Sequence, residues 1–201
     1  EFSGANIANF LLALTMFSGF VMVVQFFANV RGEAPVEVGV HSLFWTAGPM
    51  IVSPYGARLG RARGAGQVAT LGLTLIGIGM LSLALVVHPA ATVWELAPAL
   101  VAIGAGIGLV LPNIVATALA AVPEEDVGKA SGVLNTARQV GAVAGVAVGI
   151  AVFQAAGGAG AQAMTDGIRS TLLLSAASAG AGALAVSLAR RRSAAAVPAT
   201  A

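Results

Sequence analysis

Six long apolar stretches, separated by short segments that contain charged residues, Gly or Pro, divide the chain. A helix needs about 20 apolar residues to cross the hydrocarbon core of a bilayer, and each of the six stretches is that long. The pattern predicts an all-α integral membrane protein, a six-transmembrane-helix bundle over residues 1–190 with a disordered cytoplasmic tail over 191–201. The predicted spans are about 5–29, 38–57, 66–87, 95–121, 130–154 and 168–189.

The composition also indicates a lipid environment. Hydrophobic residues make up 58% of the chain and charged residues 9%, with a mean hydropathy of +0.92. Soluble domains carry about 25% charged residues, so this chain cannot cover a surface that faces water. Cys is absent, which excludes a disulfide framework and a thiolate metal site. His41 and His88 lie too far apart, with too few neighbouring ligands, to suggest a metal site.

The basic residues predict an orientation in the membrane. The positive-inside rule places the more basic set of connections in the cytoplasm, so the first span starts inside and the C-terminus ends inside. We therefore expect a multi-pass protein of the cell (inner or plasma) membrane. The more basic connections follow the second, fourth and sixth spans and hold Arg58, Arg61, Arg63, Lys129, Arg190, Arg191 and Arg192, against Arg31 and Arg169 on the other side.

Polar side chains recur at three- and four-residue steps in the first, second, fourth and fifth spans, which places them along one helical face. A polar face is costly in lipid unless it meets protein or water. These four helices are therefore predicted to line a substrate cavity, with the third and sixth helices outside, against lipid. The alternative is that the polar side chains form interhelical hydrogen bonds, worth about 0.6 kcal/mol each. The predicted cavity residues are Ser18, Met22, Gln25, Asn29, Trp45, Thr46, Asn113, Thr117 and Asn135.

Glycines at four-residue spacing predict close helix packing. Gly141, Gly145 and Gly149 lie on one face of the fifth span, and Gly104 and Gly108 share a face of the fourth. Small residues at such spacing let membrane helices approach each other at the backbone. We expect both sets to face neighbouring helices.

Arg138 is a basic residue inside a predicted span, next to Asn135 and Gln139. An ionisable residue in a membrane helix is a candidate functional residue; the alternative is an anchor that reaches the interface with its long side chain. We predict that its guanidinium forms fork-shaped hydrogen bonds to neighbouring helix ends or loops, which Lys could not reproduce. The residues predicted to be gating or structural are Arg138, Gln139, Arg58, Arg61 and Arg63.

Three segments carry a resemblance to a known family: 39–54 (GVHSLFWTAGPMIVSP), 104–113 (GAGIGLVLPN) and 123–141 (PEEDVGKASGVLNTARQVG). They resemble the C-terminal half of a major facilitator superfamily transporter, in its fourteen-helix drug:proton antiporter branch. The similar family segments are G-x-x-L-L-P-W-x-x-G, G-x-G-x-G-hydrophobic-Pro and P-x-E-x-x-G-x-A-S-G-x-x-N-x-x-R-x-x-G, of which the last is the most specific. Phe44 stands where the family usually has Pro, and the segment 58–64 lacks the Asp of the family's G-R-L-A-D-R-x-G-R-R loop.

The resemblance implies a rocker-switch exporter in which two six-helix bundles enclose a central cavity. It implies the export of small hydrophobic, often cationic, compounds by proton antiport. The expected partners are the N-terminal half of the same transporter, the lipid bilayer, a small hydrophobic substrate and protons, with no cofactor and no nucleic acid. Because no acidic residue lies deep in a predicted span, the proton-coupling residues are expected in the other half.

Two other classes fit the composition. One is a six-helix permease subunit or another integral membrane module outside the superfamily, and the other is a membrane-embedded enzyme. The sequence offers no paired catalytic groups, so we predict that the protein is not an enzyme, with neither catalytic residues nor metal ligands.

Overall fold

Six α-helices make up the computed structural model of the protein, which describes residues 2–196, with side chains through residue 191. This part of the chain contains no strand, and the predicted all-α membrane bundle is confirmed. A π-helical segment, Phe26–Val30, extends the first helix, and one 3-10 turn, Glu124–Asp126, precedes the fifth. The helices are α1 (Phe2–Gln25), α2 (Pro35–Arg63), α3 (Ala65–Val86), α4 (Val93–Leu119), α5 (Val127–Ala156) and α6 (Ala161–Ala196).

Two helices extend well into segments that were expected to be irregular. α6 continues through residues 191–196, the first part of the expected tail, while 197–201 lie outside the described residues. The basic segment 58–64, expected to be a loop, instead forms the last turns of α2, and Gly64 alone joins α2 to α3. Gly64 has a φ of 92°, which glycine adopts without the steric cost that a Cβ would bring.

Within residues 2–196, five helical segments are long and apolar enough to cross a membrane: α1 with its π-helical extension, α3, α4, α5 with the turn before it, and α6. α2 has polar residues and two internal prolines, and it does not reach the same mean hydropathy. Its 29 residues nevertheless correspond to about 43 Å at 1.5 Å per residue. Because α2 also packs along α4, we assign it as the sixth span.

The helices pack as two groups of three, α2 and α3 around α4, and α5 and α6 around α1. α4 packs between α2 and α3, α1 packs between α5 and α6, and α3 and α6 join the two groups along one side, here called the back. Replacing α1, α2 and α3 by α4, α5 and α6 reproduces these contacts. Equivalent helices run in opposite directions because they are three crossings apart, so the bundle is an inverted repeat. On the opposite side, here called the front, α1 and α4 contact each other more sparsely.

Alternate glycines let α4 meet two helices at backbone distance. Gly104 and Gly108 face α2; a Cβ on Gly104 would lie 2.4 Å from the carbonyl oxygen of Trp45. Gly106 points the opposite way, since two residues turn a helix by about 200°, and a Cβ there would lie 2.8 Å from the carbonyl oxygen of Gly72 in α3. Any larger residue at these positions would push α2 or α3 away.

A second glycine seam joins α5 to α1. A Cβ on Gly141 would lie 2.4 Å from the carbonyl oxygen of Phe10, and one on Gly145 would lie 2.5 Å from that of Leu14. Gly149 continues the seam one turn further along both helices. Most of α5 is otherwise exposed, so this stripe holds the helix to the bundle. The buried residues of α5 are Ala130, Leu134, Gly141, Gly145 and Gly149.

Arg169 ties α6 to the end of α3. The sequence grouped it with the outer connections, but it lies half-buried within α6. Its Nε donates to the carbonyl oxygen of Ala84 at 3.0 Å, and its Nη2 donates to that of Val87 at 2.9 Å. The last carbonyls of a helix lack helical donors, so this guanidinium caps α3 and neutralises the negative end of its dipole.

Gly145→Ala should lower the free energy of unfolding by about 1–3 kcal/mol, the usual cost of overpacking, because the new Cβ would lie 2.5 Å from a backbone oxygen of α1. Thermal unfolding in detergent and abundance in the membrane measure this. Gly132→Ala is the matched control, since it lies in the same helix and its Cβ would have nothing within 4 Å. Equal stability of the two variants would show that α5 can move away from α1 at no cost.

Candidate functional site

The front of the bundle has a cleft between α1, α4 and α5 that holds two adjoining cavities. Their volumes are about 270 and 330 Å³, and they share Leu111 of α4 and Arg138 of α5. Their walls are mainly hydrocarbon, with a few amide groups and one guanidinium, which is the usual character of a small-molecule site. The first cavity is also lined by Asn9, Val115, Ser131, Leu134 and Asn135, and the second by Leu12, Ala13, Met16, Phe17, Gln139 and Ala142.

Arg138 stands where the two cavities meet. Its Nη2 donates to Oδ1 of Asn135 at 3.0 Å, and both side chains are exposed in the cleft. The two residues lie one turn apart on the same helical face, where side chains are neighbours. The predicted partners of this guanidinium are neighbouring helix ends or loops, whereas its hydrogen bond lies within α5. The exposed guanidinium is therefore accessible to a molecule in the cleft.

Asn9 lines the first cavity and was not among the predicted cavity residues. The side chain is buried, and Nδ2 donates to the carbonyl oxygen of Leu134 at 2.8 Å, which joins α1 to α5. The sequence feature that could have identified Asn9 is an amide side chain within an apolar helix. Such an amide is costly in lipid unless it is paired, and here the backbone of α5 supplies the partner.

Four predicted cavity residues lie inside the bundle instead of in the cleft. Ser18, Met22, Trp45 and Asn113 are at most 3% exposed. Met22 and Trp45 belong to the hydrophobic core, where the Trp45 ring meets the edge of Phe20 with ring centroids 5.8 Å apart. The polar stripes did not distinguish a face that packs on other helices from a face that lines the cleft, because both require the same periodicity.

Ser18 and Asn113 instead form the interhelical hydrogen bonds that were the alternative reading of the stripes. The hydroxyl oxygens of Ser18 in α1 and Ser175 in α6 lie 2.8 Å apart. Nδ2 of Asn113 donates to the carbonyl oxygen of Gly56 in α2 at 2.9 Å and to that of Leu109 at 2.7 Å. Both residues hold helices together.

The other five predicted cavity residues have accessible side chains. Asn135 lines the cleft, while Gln25 and Asn29 hydrogen-bond to each other at the far end of α1 and its π-helical extension. Thr46 and Thr117 donate to carbonyl oxygens four residues earlier in their own helices. Of the nine predicted cavity residues, the structure therefore places Asn135 in the cleft, where it lines the first cavity.

The predicted gating residues fall in two separate places. Gln139 is exposed in the cleft next to Arg138. Arg58, Arg61 and Arg63 are exposed on the last turns of α2, and α2 and α5 lie on opposite edges of the bundle. The structure therefore does not bring the two groups together.

α3 and α6 present apolar surfaces at the back, as expected for helices that face lipid. The hydroxyls of Thr171 and Ser175 in α6 are buried and bonded within the bundle, so they do not face the bilayer. Large apolar side chains cover the outer faces instead. These exposed side chains include Leu71, Ile78, Leu81 and Leu85 of α3 and Leu173, Leu184 and Leu188 of α6.

The described carboxylates lie at helix ends and in the connections between helices. Oε2 of Glu33 is 2.8 Å from Nδ1 of His41, where α1 leads into α2, and Oε2 of Glu95 is 3.1 Å from Nε2 of His88, where α3 leads into α4. None of the carboxylates in the described residues lines the two cleft cavities. The charge in the described cleft is therefore the guanidinium of Arg138.

Membrane-spanning helices arranged as an inverted repeat, with a cleft on one face, are the architecture of many secondary transporters. The chain belongs to the Major Facilitator Superfamily, whose sequence profile matches residues 5–201. This membership removes the alternative of a membrane module outside that superfamily.

Several curated proteins are similar in sequence. The chain is 29% identical to the methylenomycin A resistance protein of Streptomyces coelicolor, over 73% of this chain and 30% of that protein. It is 34% identical to the multidrug resistance protein Stp of Mycobacterium tuberculosis, over 64% and 24%, and 31% identical to a probable actinorhodin transporter of S. coelicolor, over 81% and 29%. The match thus spans 24–30% of the length of these relatives. Their names are those of transporters and resistance proteins, which supports the prediction that the chain is not an enzyme.

Asn113→Ala should lower the free energy of unfolding by about 1 kcal/mol, because it removes the amide that bonds α4 to α2 and interhelical hydrogen bonds in membranes are worth about 0.6–2 kcal/mol. Asn135→Ala is the matched control, since its side chain is exposed in the cleft. Melting temperatures of the two purified variants in detergent test this. Equal melting temperatures would mean that Asn113 has no structural role.

Proposed function

We propose that the chain is the C-terminal half of a multidrug efflux transporter of the fourteen-helix drug:proton antiporter branch. In this proposal it exports small hydrophobic compounds and supplies one wall of the substrate cavity. The observation that carries the proposal is the front cleft, in which Arg138 lies between two largely apolar cavities. The relatives named for multidrug and antibiotic resistance support efflux as the direction of transport.

The assignment as one half rests on the internal symmetry. Each half of a superfamily transporter is a six-helix bundle made of two inverted three-helix repeats, and the contacts of α1–α6 follow that pattern. The front also carries exposed apolar side chains that a second bundle could cover, such as Phe17 of α1 and Val115 of α4, which line the cleft and are 45% and 42% exposed. The C-terminal position rests on the resemblance of segment 123–141 to the branch's own motif.

The substrate class follows from the walls of the cleft. Met16, Phe17 and Leu111 give apolar and adaptable contact surface, and methionine in particular adjusts to ligands of different shape. Asn135 and Gln139 supply amides that can donate or accept hydrogen bonds. Such a site suits compounds that are mostly hydrophobic and carry a few polar groups.

We place the proton-coupling groups in the remainder of the transporter. The described carboxylates lie at helix ends, where water reaches them, and not in the cleft. A proton carrier has to exchange protons while the cavity changes its access, which favours a carboxylate at membrane depth. In proteoliposomes that contain the whole transporter, efflux should stop when an ionophore collapses the pH gradient. Efflux that continues at the same rate would exclude proton antiport.

The orientation can be tested with single cysteines, because the chain contains none. Ala62→Cys at the end of α2 and Glu125→Cys before α5 should react with an impermeant thiol reagent from the cytoplasmic side. Ala34→Cys and Ala159→Cys, at the opposite helix ends, should react from outside; all four positions are exposed. Reaction of both pairs from the same side would refute the six-span topology.

Arg138→Lys should lower the transport rate per folded molecule by about tenfold, close to the free energy of one hydrogen bond to a charged group, because an ammonium cannot present the planar fork of donors to a substrate in the cleft. Arg138→Ala should lose at least as much. Arg61→Lys, at an exposed site on α2, is the control and should transport normally. Near-normal transport by Arg138→Lys, with loss of transport in Arg138→Ala, would indicate that Arg138 only anchors α5 at the membrane interface.

A further inference from the structure

The back of the bundle carries a long groove between α3 and α6 that the transport cleft does not use. Its volume is about 640 Å³. It runs from Thr70 of α3 and Ser187 of α6 at one end to Leu81 and Leu173 at the other. Eleven residues separate the two ends on α3, which corresponds to about 16 Å at 1.5 Å per residue.

The groove offers hydrocarbon surface along its length. Gly77 and Gly180 leave its floor open, and nothing lies within 4 Å of a Cβ built on Gly180. The hydroxyl of Thr70 donates to the carbonyl oxygen of Gly66 at 2.8 Å, and that of Ser187 donates to the carbonyl oxygen of Leu184 at 2.9 Å. Because these hydroxyls are already bonded within their own helices, the groove suits an extended acyl chain.

The end of the groove at Thr70 and Ser187 is basic. Arg190 lies one turn beyond Ser187, and its stem covers Gly66, where a Cβ would lie 2.6 Å from the Arg190 Cδ. In the amide orientation that satisfies both of its polar atoms, Gln67 accepts from Nη2 of Arg190 at 3.0 Å and donates to the carbonyl oxygen of Arg63 at 2.9 Å. This arrangement brings the ends of α2, α3 and α6 together.

The charge at this end is not neutralised within the described chain. Arg63 and Arg191 are exposed and Arg190 is partly exposed. Among the described residues, no carboxylate lies within 4.0 Å of these three guanidinium groups. Basic pockets between membrane helices bind anionic lipid headgroups, and a phosphate here would lie beside the mouth of the apolar groove.

We propose that this groove binds one anionic phospholipid, with an acyl chain between α3 and α6 and its phosphate on Arg63, Arg190 and Arg191. Charge favours this occupant over a second copy of the chain. Two copies in one membrane share the same orientation, so a two-fold contact through this groove would bring their basic ends together. Like charges brought together oppose association.

The headgroup is tested by native mass spectrometry of the full-length transporter that contains this chain, with phosphatidylglycerol or phosphatidylcholine added. The wild type should retain one phosphatidylglycerol in preference to phosphatidylcholine. Arg63→Gln with Arg191→Gln, both at exposed positions, should weaken phosphatidylglycerol binding by about thirtyfold, as expected for two basic residues near the lipid surface. Arg58→Gln with Lys129→Gln removes as much charge at the same end but outside the groove, and should bind like the wild type.

The acyl-chain site is tested by filling the groove. Gly180→Leu places a side chain in open space on the groove floor and should reduce the retention of phosphatidylglycerol at least tenfold, with an unchanged melting temperature in detergent. Ala181→Leu, the adjacent exposed position outside the groove, should leave retention unchanged. Equal retention of the two lipids by the wild type, or equal retention by the two Leu variants, would overturn the proposal. The proposal would also be overturned if the wild type formed a dimer that Gly180→Leu dissociates, because a second copy of the chain would then occupy the groove.

Discussion

Backbone contact through glycine is the constraint on which this bundle depends. Lipid tails are as apolar as leucine, so burial of apolar surface gives membrane helices little reason to associate, and close packing has to supply the attraction. In α4, Gly104 and Gly106 face opposite neighbours, which lets one central helix hold both α2 and α3 at backbone distance. Gly145 likewise lets the backbones of α5 and α1 come into close contact. The inverted-repeat architecture therefore rests on small residues at a few positions.

Where helices pack closely, the amides of Asn9 and Asn113 are buried and form hydrogen bonds to a neighbouring helix. Asn9 bonds α1 to α5, and Asn113 bonds α4 to α2, each through a backbone carbonyl of the outer helix. α1 begins and α4 ends on the same side of the membrane, so both amides lie toward the end of the bundle that carries Arg58, Arg61 and Arg63. The pairs α1–α5 and α4–α2 are thereby joined as units. α1 and α4 contact each other more sparsely than α1 contacts α5 or α4 contacts α2. A change in the width of the cleft therefore disrupts fewer contacts if it occurs between α1 and α4.

The sequence was sufficient for the fold class, the number of helices and the glycine spacing, because each depends on local pattern and on the bilayer thickness. It was insufficient for the direction of individual side chains. Trp45 and Thr46 are adjacent in one predicted stripe, yet the first is in the core and the second is exposed. Asn9 was missed because it lies before the polar stripe of the first span, although Asn6 lies three residues earlier in the same helix. The basic segment 58–64 resembled a loop, but arginine is a good helix former, and Gly64 alone makes the turn.

The single charge in the described cleft constrains which compounds the cavity could accept. A guanidinium in a partly apolar cleft repels a cationic compound more strongly than it would in water, because the local dielectric is lower. Arg138 is accessible, and in the described structure its partner is the neutral amide of Asn135. A cationic substrate would therefore need carboxylates from another part of the transporter to offset this repulsion. A neutral or anionic compound could instead accept hydrogen bonds directly from the guanidinium. The sign of the substrate's charge thus depends on which acidic residues the opposite wall contributes.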